Sequence, residues 1–389
     1  MAKPTPDLNI PPSPSTVSVS LINAARIHHV CTADLVQPPR KGHEFFDAPC
    51  YVFLVRNTAL NRTVIFDLGV RRDANNFSPA ARRMIQKGGV IIDVDFDVRE
   101  ILQRQGVDLS EIEAIVWSHW HFDHTGDSSG FGPGTALVVG PGFCEPENGI
   151  FPGYPANPDS PILESDYAGR ELREVSFADS KVAVGRMSAI DYFGDGSFYL
   201  LDAPGHTVGH LCALARVTSS PQSSFILMGG DGCHHMAELR PSPFRPLPHD
   251  LDPSPLRNLP VCPGALFEPL LWPQSSSTSN EPDRTRAIYD IATGPNAYHT
   301  NPAETTRTIA KLQEVDAADN VFVVIAHDHH LLDLVDFFPA TLDHFLVKGW
   351  PAASRWRFLA DFSLGLGLSH DGLVSVSKVP DDVRPEPKL

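Results

Sequence analysis

Histidine and aspartate are concentrated in one short stretch of the sequence, SHWHFDHTGD at positions 118–127. The stretch contains His119, His121, Asp123 and His124, and imidazole and carboxylate groups are ligands that zinc and related divalent cations prefer. A polar loop that is rich in histidine by chance is the alternative. Because zinc takes three or four ligands, further candidates elsewhere in the chain would decide between the two.

The spacing within this stretch favours an extended chain that turns at its end. His119, His121 and Asp123 stand at i, i+2 and i+4, which share a face in a strand but diverge by about 200° per step in a helix. The preceding residues 112–117, IEAIVW, have the composition of a buried strand, and His124 breaks the alternation. We therefore expect a strand end that turns into a helix start. Such a turn directs two imidazoles at one metal, and Asp123 with His124 at a neighbouring one.

Three more candidate ligands follow other apparent strands. His206 lies in APGHTVGH, Asp231 in GGDG after the strand FILMG, and His327 in AHD after the strand NVFVVIA. Proteins of the α/β class place their sites at strand ends. The sequence thus predicts that these side chains meet the 118–127 stretch in one metal centre.

The motifs SHWHFDHTGD, APGHTVGH, GGDG and AHD, in that order, resemble those of the metallo-β-lactamase-fold hydrolases over roughly residues 45–330. The resemblance implies an α/β fold, a four-layer αββα sandwich with two metals at one edge, and Asp231 as the ligand that bridges them. It also implies that Asp67 supports the site from behind. The implied ligands are His119, His121 and His206 for the first metal, and Asp123, His124 and His327 for the second.

Two adjacent cations would do hydrolytic chemistry. They lower the pKa of a water molecule held between them, which gives a hydroxide near neutral pH, and they polarise a carbonyl oxygen, while the Asp231 carboxylate offsets their mutual repulsion. Nitrogen and oxygen ligands suit two Zn²⁺ ions best, with iron, manganese or cobalt as alternatives. Cys233, two residues beyond Asp231, is interpreted as a packed thiol.

Some branches of the family fit poorly. Flavin-linked diiron relatives carry a glutamate where His121 stands, which disfavours oxygen-reducing chemistry. Lactonases, thioesterases of the glyoxalase II type, and amide or lactam hydrolases remain. SHWHFDHTGD and APGHTVGH are similar to the acyl-homoserine-lactone lactonases, which place a tyrosine three residues after the bridging aspartate. Here that position is His234, which either donates to the substrate or is a bystander.

The preferred hypothesis is a dinuclear metal-dependent hydrolase that opens a small cyclic ester (lactone) by attack of the metal-bridging hydroxide. Asp231 bridges the metals, and Asp123 or His234 protonates the leaving group. Hydrolysis of a lactam or cyclic carbamate is the alternative, since DGCHH and the region 241–282 resemble fungal members of which some open such rings of plant defence compounds. A glyoxalase II-like thioesterase, a single-iron sulfur dioxygenase and a binding module with a decayed site are further rivals.

The elements that would position these residues are mixed along the chain. Strands are predicted at 15–27, 51–57, 63–67, 112–117, 135–140, 197–202, 210–216, 225–229 and 320–326, and helices at 97–105, 284–293, 303–314 and 339–348. Residues 1–16 are expected to form a flexible tail and 17–389 a single domain. Proline-rich insertion loops are expected near 141–168 and 241–282, the first as a wall of the pocket.

Other side chains receive weaker assignments. His329 and His330 are expected to be solvated loop residues. Five aromatic residues are candidates for the pocket wall, but an ordinary core role is favoured for each of them: Phe45, Phe46, Phe143, Phe151 and Tyr154.

Composition limits the partners and the location. Lys and Arg number 31 against 47 Asp and Glu, a net charge of −16, which works against a nucleic-acid partner. No apolar run is long enough to cross a membrane, and the N-terminus lacks the apolar core of a signal peptide. Six cysteines without a CxxC pair are expected to be mostly buried thiols. We therefore expect a cytoplasmic enzyme with a small-molecule substrate and no organic cofactor; the oligomeric state is not predicted.

Overall fold

A computed structural model describes residues 2–256, 259–274 and 281–368. The strands, in chain order, are β1 Ser18–Cys31, β2 Val36–Gln37, β3 Phe45–Asn57, β4 Arg62–Phe66, β5 Ile91–Asp93, β6 Ile112–Val116, β7 Ala136–Val139, β8 Leu172–Glu174, β9 Val182–Val184, β10 Met187–Asp191, β11 Phe198–Asp202, β12 Leu211–Thr218, β13 Ser224–Met228, β14 Asp250–Leu251, β15 Cys262–Pro263, β16 Asp290–Ile291 and β17 Val321–Val324. The α-helices are α1 Pro79–Gly88, α2 Val98–Arg104, α3 Phe122–Thr125, α4 Pro302–Asp316, α5 Phe345–Lys348 and α6 Trp350–Ser354. Within these ranges, no helix has the length and apolar character that a membrane span requires.

Two mixed sheets form the centre of the structure. Sheet 1 has the strand order β5-β1-β3-β4-β6-β7-β8, and sheet 2 has the order β17-β13-β12-β11-β10-β9. In sheet 1, β4, β6, β7 and β8 are parallel neighbours, and in sheet 2 β13 is parallel to β17. Parallel neighbours bring their carboxyl ends to the same edge of a sheet, which is where the candidate ligands follow.

Side chains alternate between separate hydrophobic cores along the strands. On β3, Tyr51 and Phe53 belong to the core between the two sheets, whereas Val52 and Leu54 belong to a second core that includes residues of α2. Strands β12, β13 and β17 alternate in the same way, and their other face packs with α4 in a third core. Each sheet is therefore covered on both faces, and the predicted αββα sandwich is confirmed.

Most predicted elements are present, but the prediction of a helix at 284–293 is wrong. Ile288, Tyr289 and Ile291 of this segment are all buried, and Asp290–Ile291 forms β16, paired with β2. Side chains buried on both sides of the chain suit an extended segment, so tertiary pairing overrides the helical pattern. The helix expected at 303–314 is α4, whereas at 339–348 only the last turn is helical, as α5.

The N-terminal segment packs along the protein, which differs from the flexible tail expected over residues 1–16. Leu8 is buried, and its carbonyl accepts a hydrogen bond of 2.7 Å from the Gly185 N–H. The Pro11 carbonyl accepts a bond of 2.5 Å from the buried Arg216 guanidinium. A buried guanidinium needs acceptors for its N–H groups, so the segment contributes to the environment of Arg216.

The two proline-rich segments are packed connections with little regular structure. Residues 141–168 include the 3₁₀ turns Pro146–Asn148 and Glu164–Asp166. The described part of 241–282 contains β14, β15 and the 3₁₀ helix Gly264–Leu270, whose Phe267 is fully buried. This part of 241–282 therefore contributes to the core. That these segments are insertions into a single domain stays a prediction.

A buried ion pair links α4 to the loop after β13 and provides a test of the fold. The Arg240 and Asp316 side chains, both buried, form two hydrogen bonds of 2.9 and 2.5 Å. Asp316→Asn should lower the free energy of unfolding by about 3–5 kcal/mol, because Arg240 would keep a buried charge without its partner. Chemical denaturation measures this change.

Asp319→Asn is the matched control, because the Asp319 side chain is 86% exposed where it pairs with Arg245. An exposed pair of this kind contributes only about 0–1 kcal/mol. Equal destabilisation by the two substitutions would contradict the role assigned to the buried pair.

Candidate metal centre

The predicted ligands follow the carboxyl ends of strands from both sheets. The 118–127 stretch follows β6, whereas His206, Asp231 and His327 follow β11, β13 and β17. As predicted, the chain leaves a strand and enters a short helix, α3, at Phe122. All seven predicted ligands are buried and lie together: His119, His121, Asp123, His124, His206, Asp231 and His327.

Two glycines allow the loops to approach this closely. At Gly205, where φ is +130°, an added Cβ would lie 2.2 Å from the Thr305 nitrogen in the first turn of α4. At Gly230, where φ is +49°, an added Cβ would lie 3.0 Å from the Ser118 Cβ. Only glycine fits such positions without displacing backbone, so both residues set the positions of the ligands beside them.

One oxygen of Asp231 faces a first group of imidazoles. The Asp231 Oδ2 lies 3.4 Å from His206 Nε2 and 3.7 Å from His119 Nε2. His206 Nε2 in turn lies 2.9 Å from His121 Nδ1. The three imidazoles that the resemblance assigns to the first metal therefore point at one place.

The other oxygen of Asp231 faces a second group. The Asp231 Oδ1 lies 3.2 Å from His124 Nε2 and 3.1 Å from His327 Nε2. Asp123 Oδ2 lies 3.4 Å from His327 Nε2 and 3.7 Å from His124 Nε2. Asp231 thus stands between the two groups with one oxygen toward each, as a carboxylate that bridges two metal ions would.

Hydrogen bonds to residues outside the two groups orient the imidazoles of the second group. His124 Nδ1 donates to Asp67 Oδ2 at 2.9 Å, and Asp67 Oδ1 also accepts a bond of 2.6 Å from the Ser118 N–H. His327 Nδ1 donates to the Pro49 carbonyl at 2.7 Å. Each bond places the proton on Nδ1 and leaves Nε2 free to bind a metal, as is usual for ligating histidines. Asp67 therefore has the supporting position that the resemblance implies.

Unpartnered atoms test whether the residues fit a metal. His119 Nε2, His124 Nε2 and Asp231 Oδ1 are buried and have no hydrogen-bond partner among the described residues. A buried polar atom without a partner costs about 1–3 kcal/mol. Divalent cations between the two groups would satisfy all three atoms, and the nitrogen and oxygen donors are of the type that zinc accepts. The buried donor atoms at this place therefore fit a divalent metal ion.

Charges in the centre are strongly perturbed. Burial lowers the pKa of His119 and of His206 well below the ordinary value, and the neighbouring imidazoles lower it further. Burial also opposes the charged form of His124, but Asp231 and Asp67 outweigh it and raise its pKa well above the ordinary value. The centre therefore combines imidazoles that burial keeps neutral, those of His119 and His206, with a buried carboxylate that favours a positive charge beside it, either a proton on His124 or a metal ion.

His210 supports the centre and was not identified from the sequence, although it stands in APGHTVGH. Its Nε2 accepts a bond of 2.9 Å from the Asp231 N–H, and its Nδ1 donates to the Ala203 carbonyl at 3.0 Å. These two bonds fix the tautomer of His210. They also fix the backbone of Asp231 relative to the loop that carries His206.

His234 lies against the first group. Its Nε2 is 3.3 Å from Asp231 Oδ2, its ring centroid is 4.7 Å from that of His206, and its Nδ1 is buried without a partner among the described residues. The Glu238 carboxylate accepts a bond of 2.6 Å from the His234 N–H. His299, which stands in none of the motifs identified from the sequence, is also buried here, with its ring 5.3 Å from that of His234.

An apolar cleft opens beside the centre. Its lining includes His121, Asp123, His206, Asp231, His234 and His327 on one side. Of the five aromatic candidates, only Phe46 lines the cleft, whereas Phe143 is buried in the core and Phe45 is about half exposed. None of the cleft-lining residues comes from 141–168, so the expectation that this loop forms a pocket wall is wrong.

Two further expectations concern residues near the centre. His330 is buried and His329 is 23% exposed, and both contact the Asp361 carboxylate; the expectation of solvated loop residues is wrong, because the C-terminal segment covers them. Cys233 is fully buried, and burial raises the pKa of its thiol well above the ordinary value. The interpretation of Cys233 as a packed thiol is confirmed, and all six cysteines are free.

Comparison with known proteins decides the family. The family model of the metallo-beta-lactamase superfamily matches residues 46–216. A gamma-lactamase of Fusarium pseudograminearum (strain CS3096), FDB1, is 41% identical over 365 residues, which cover 92% of this chain and 85% of that protein. The chain belongs to the metallo-β-lactamase superfamily.

Two further proteins are similar to this chain, one in sequence and one in fold. The metallo-hydrolase mfmC of Annulohypoxylon moriforme is 42% identical over 366 residues, covering 92% of this chain and 91% of that protein. An N-acyl homoserine lactone hydrolase, solved with the product N-hexanoyl-L-homoserine at its catalytic metal centre, aligns with a TM-score of 0.53 and 15% identity. That alignment covers 84% of this chain and 99% of the other, and it shows the shared fold. This metallo-β-lactamase-superfamily protein is a metal-dependent hydrolase.

The bond from His124 to Asp67 predicts how this superfamily member holds metal. Asp67→Asn should weaken its affinity for divalent metal by about 10–100-fold, because a neutral amide supports the ligating imidazole less well. Asparagine tolerates the positive φ of 64° at this position, so the turn should be kept. Competition with a zinc chelator measures the affinity.

Asp73→Asn serves as the control, since the Asp73 side chain is 55% exposed and pairs with Arg71 away from the ligands. Wild-type affinity in the Asp67 variant would show that Asp67 does not support the metal centre.

Proposed function

We propose that this chain is a dinuclear zinc hydrolase that opens small cyclic amides, γ-lactams in particular, with cyclic esters as the second substrate class. One observation carries the proposal: the two oxygens of the buried Asp231 carboxylate face separate ligand sets, each with three further donors. Two zinc ions in such an arrangement supply a hydroxide nucleophile at neutral pH and polarise the substrate carbonyl.

The cleft defines the character of the substrate. Its walls are largely apolar and come from β1, from helix α1 and from Phe46, with Asp34 and Tyr298 among its polar groups. It contains about 630 Å³ of empty space, part of which is open to solvent. Pockets with largely apolar walls and a few polar groups take small, partly apolar molecules. A neutral ring with a carbonyl directed at Asp231 suits the cleft.

The chain supplies groups that act on either side of the scissile bond. Asp231 holds the two ligand sets in register, and Asp67 and the Pro49 carbonyl fix the imidazoles of the second one. His234 lies at the first set, with its Nδ1 unpartnered, on the wall of the cleft. It is the group that protonates the leaving atom. Asp123 is the weaker candidate, because its Oδ2 faces His327 and His124.

A cyclic amide is favoured over a cyclic ester for a chemical reason. An amide nitrogen leaves readily only when it is protonated, and imidazole is a side chain that transfers protons near neutral pH. The position that holds tyrosine in the lactonases holds His234 here. The similar gamma-lactamase of 41% identity supports the same substrate class. We therefore place lactam hydrolysis before lactone hydrolysis, whereas the sequence alone favoured the lactone.

Cyclic esters remain the second candidate, because the ligand arrangement attacks an ester carbonyl equally well and an alkoxide needs less help in leaving. The motif pair SHWHFDHTGD and APGHTVGH supports this candidate by its similarity to lactonases. The single-iron dioxygenase is disfavoured by the second ligand set, in which Asp123, His124, Asp231 and His327 lie within 4.8 Å of one another.

Removal of a ligand tests the two-metal proposal. Asp231→Ala and His119→Ala should each lower the zinc content and abolish hydrolysis, since Asp231 faces both sets and His119 one of them. Elemental analysis and a panel of γ-lactams, γ-lactones and thioesters provide the two measurements. His249→Ala, at an exposed histidine, is the control. Full turnover in either ligand variant would sink the proposal.

The role of His234 predicts a difference between substrates. His234→Phe should keep the zinc content but lower kcat on a γ-lactam by about 10²–10⁴-fold, the usual contribution of a general acid. The loss should be smaller on a lactone with a phenol leaving group, which departs without protonation.

His234→Tyr is the informative comparison, because it restores the residue that lactonases carry at this position. It should recover lactone turnover more than lactam turnover. Equal losses on both substrates in the phenylalanine variant, or none, would assign His234 no part in proton transfer.

A further inference from the structure

A second cluster of histidines lies outside the candidate metal centre and surrounds the Asp361 carboxylate. His235 Nε2 and His330 Nε2 each lie 2.9 Å from Asp361 Oδ2, and His329 Nε2 lies 3.2 Å from Asp361 Oδ1. Four side chains with metal-binding atoms thus meet at a place to which the hydrolytic reaction assigns no role.

The hydrogen bonds of His235 determine its part in the cluster. His235 Nδ1 accepts a bond of 3.1 Å from the Ala237 N–H, so it carries no proton. The proton of the neutral ring is therefore on Nε2, which donates it to Asp361 Oδ2. A nitrogen that carries its proton has no lone pair for a metal. His235 is thus a donor that orients the carboxylate, and His329 and His330 remain as imidazoles with nitrogens directed at it.

The carboxylate needs a positive partner that the protein does not supply as lysine or arginine. Burial opposes ionisation of Asp361, but His330 and His329 and the bond from His235 hold its pKa well below the ordinary value. Within residues 2–256, 259–274 and 281–368, every ion pair found for Asp361 is with a histidine. A proton on His329 or His330, or a metal ion, must supply the charge.

We propose that His329, His330 and Asp361 bind a third zinc ion, separate from the hydrolytic centre, with His235 holding the Asp361 carboxylate in place. Ligand atoms on one tetrahedral zinc ion are about 3.3 Å apart, since each bond is about 2.0–2.1 Å long. His330 Nε2 lies 2.9 Å from one oxygen of Asp361 and His329 Nε2 lies 3.2 Å from the other, and one ligand atom from each of the three side chains lies within 4.8 Å of the other two. Water completes the coordination.

A further polar atom beside the cluster supports an ion there. His43 is buried, its Nδ1 lies 2.7 Å from the Tyr289 hydroxyl, and its Nε2 has no hydrogen-bond partner among the described residues. His43 also has a possible ligand atom within 4.8 Å of such atoms on His235 and Asp361. A zinc-bound water would give this buried nitrogen a hydrogen-bond partner.

The location gives this ion a structural role. His235 precedes the 3₁₀ turn Met236–Glu238 after β13, and His329 and His330 lie in the 3₁₀ turn His329–Leu331 after β17. Asp361 lies in the C-terminal 3₁₀ segment Arg357–Phe362. The ion thus links the C-terminal segment to the two loops that carry His234 and His327. Because it binds the folded chain, its removal should lower the midpoint of thermal unfolding.

The test is a difference in zinc content, which does not depend on how many ions the hydrolytic centre holds. The wild-type chain, Asp361→Asn and His330→Gln are dialysed against zinc, passed through a desalting column and analysed for zinc per chain. We expect each variant to hold one zinc fewer than wild type, to unfold at a lower temperature and to keep its hydrolytic kcat. Asp336→Asn and His249→Gln, which change surface side chains of the same types, should match wild type.

Cobalt substitution gives a second measurement, because tetrahedral Co²⁺ absorbs visible light and the third site should add a band that the variants lack. Circular dichroism checks the fold; if Asp361→Asn does not fold, His330→Gln decides. Equal zinc content in wild type and the folded variants would overturn the third site and leave a protonated imidazole as the partner of Asp361. Loss of hydrolysis without a zinc difference would overturn it as well, whereas failure of the two-metal proposal would appear only in the His119 and Asp231 variants.

Discussion

The buried carboxylate of Asp231 is the constraint on which the rest of the site depends. It lies among imidazoles from four loops, and burial keeps His119 and His206 largely unprotonated. A carboxylate and lone pairs that converge in an apolar interior repel one another unless cations lie between them. Divalent cations bound between the two ligand sets would offset this repulsion. The fold contributes by bringing the ends of β6, β11, β13 and β17 to one place.

The outer bonds of the ligands show how the chain prepares for this. Asp67 and the Pro49 carbonyl each accept the Nδ1 proton of a ligand, which leaves Nε2 free. His210 holds the backbone of Asp231 from behind. All of these partners belong to the strands and loops of the protein itself, so the scaffold orients the ligands. Bringing these imidazoles and carboxylates together is unfavourable in free energy, and the packing of the two sheets and of the core between them offsets it.

The sequence predicted which candidate ligands lie together better than it predicted their surroundings. The candidate ligands could be identified because each of their motifs follows a short apolar run that predicts a strand. The end of a strand directs the residues that follow it to a definite edge of the sheet. The helix expected at 284–293 failed because Asp290–Ile291 pairs with β2, a partner distant in sequence. His299 and the cluster around Asp361 were missed for the same reason. Their contacts join segments that no local pattern connects, and His329 and His330 look like solvated residues until Asp361 is placed beside them.

Anomalous X-ray diffraction from crystals of the zinc-loaded protein, collected on both sides of the zinc absorption edge, is the most direct test of the central claim. The account predicts two anomalous peaks flanking the Asp231 carboxylate. One should lie among His119, His121 and His206, and the other among Asp123, His124 and His327. A single peak beside Asp231, or none in a protein that opens the ring of a γ-lactam, would contradict the two-metal centre.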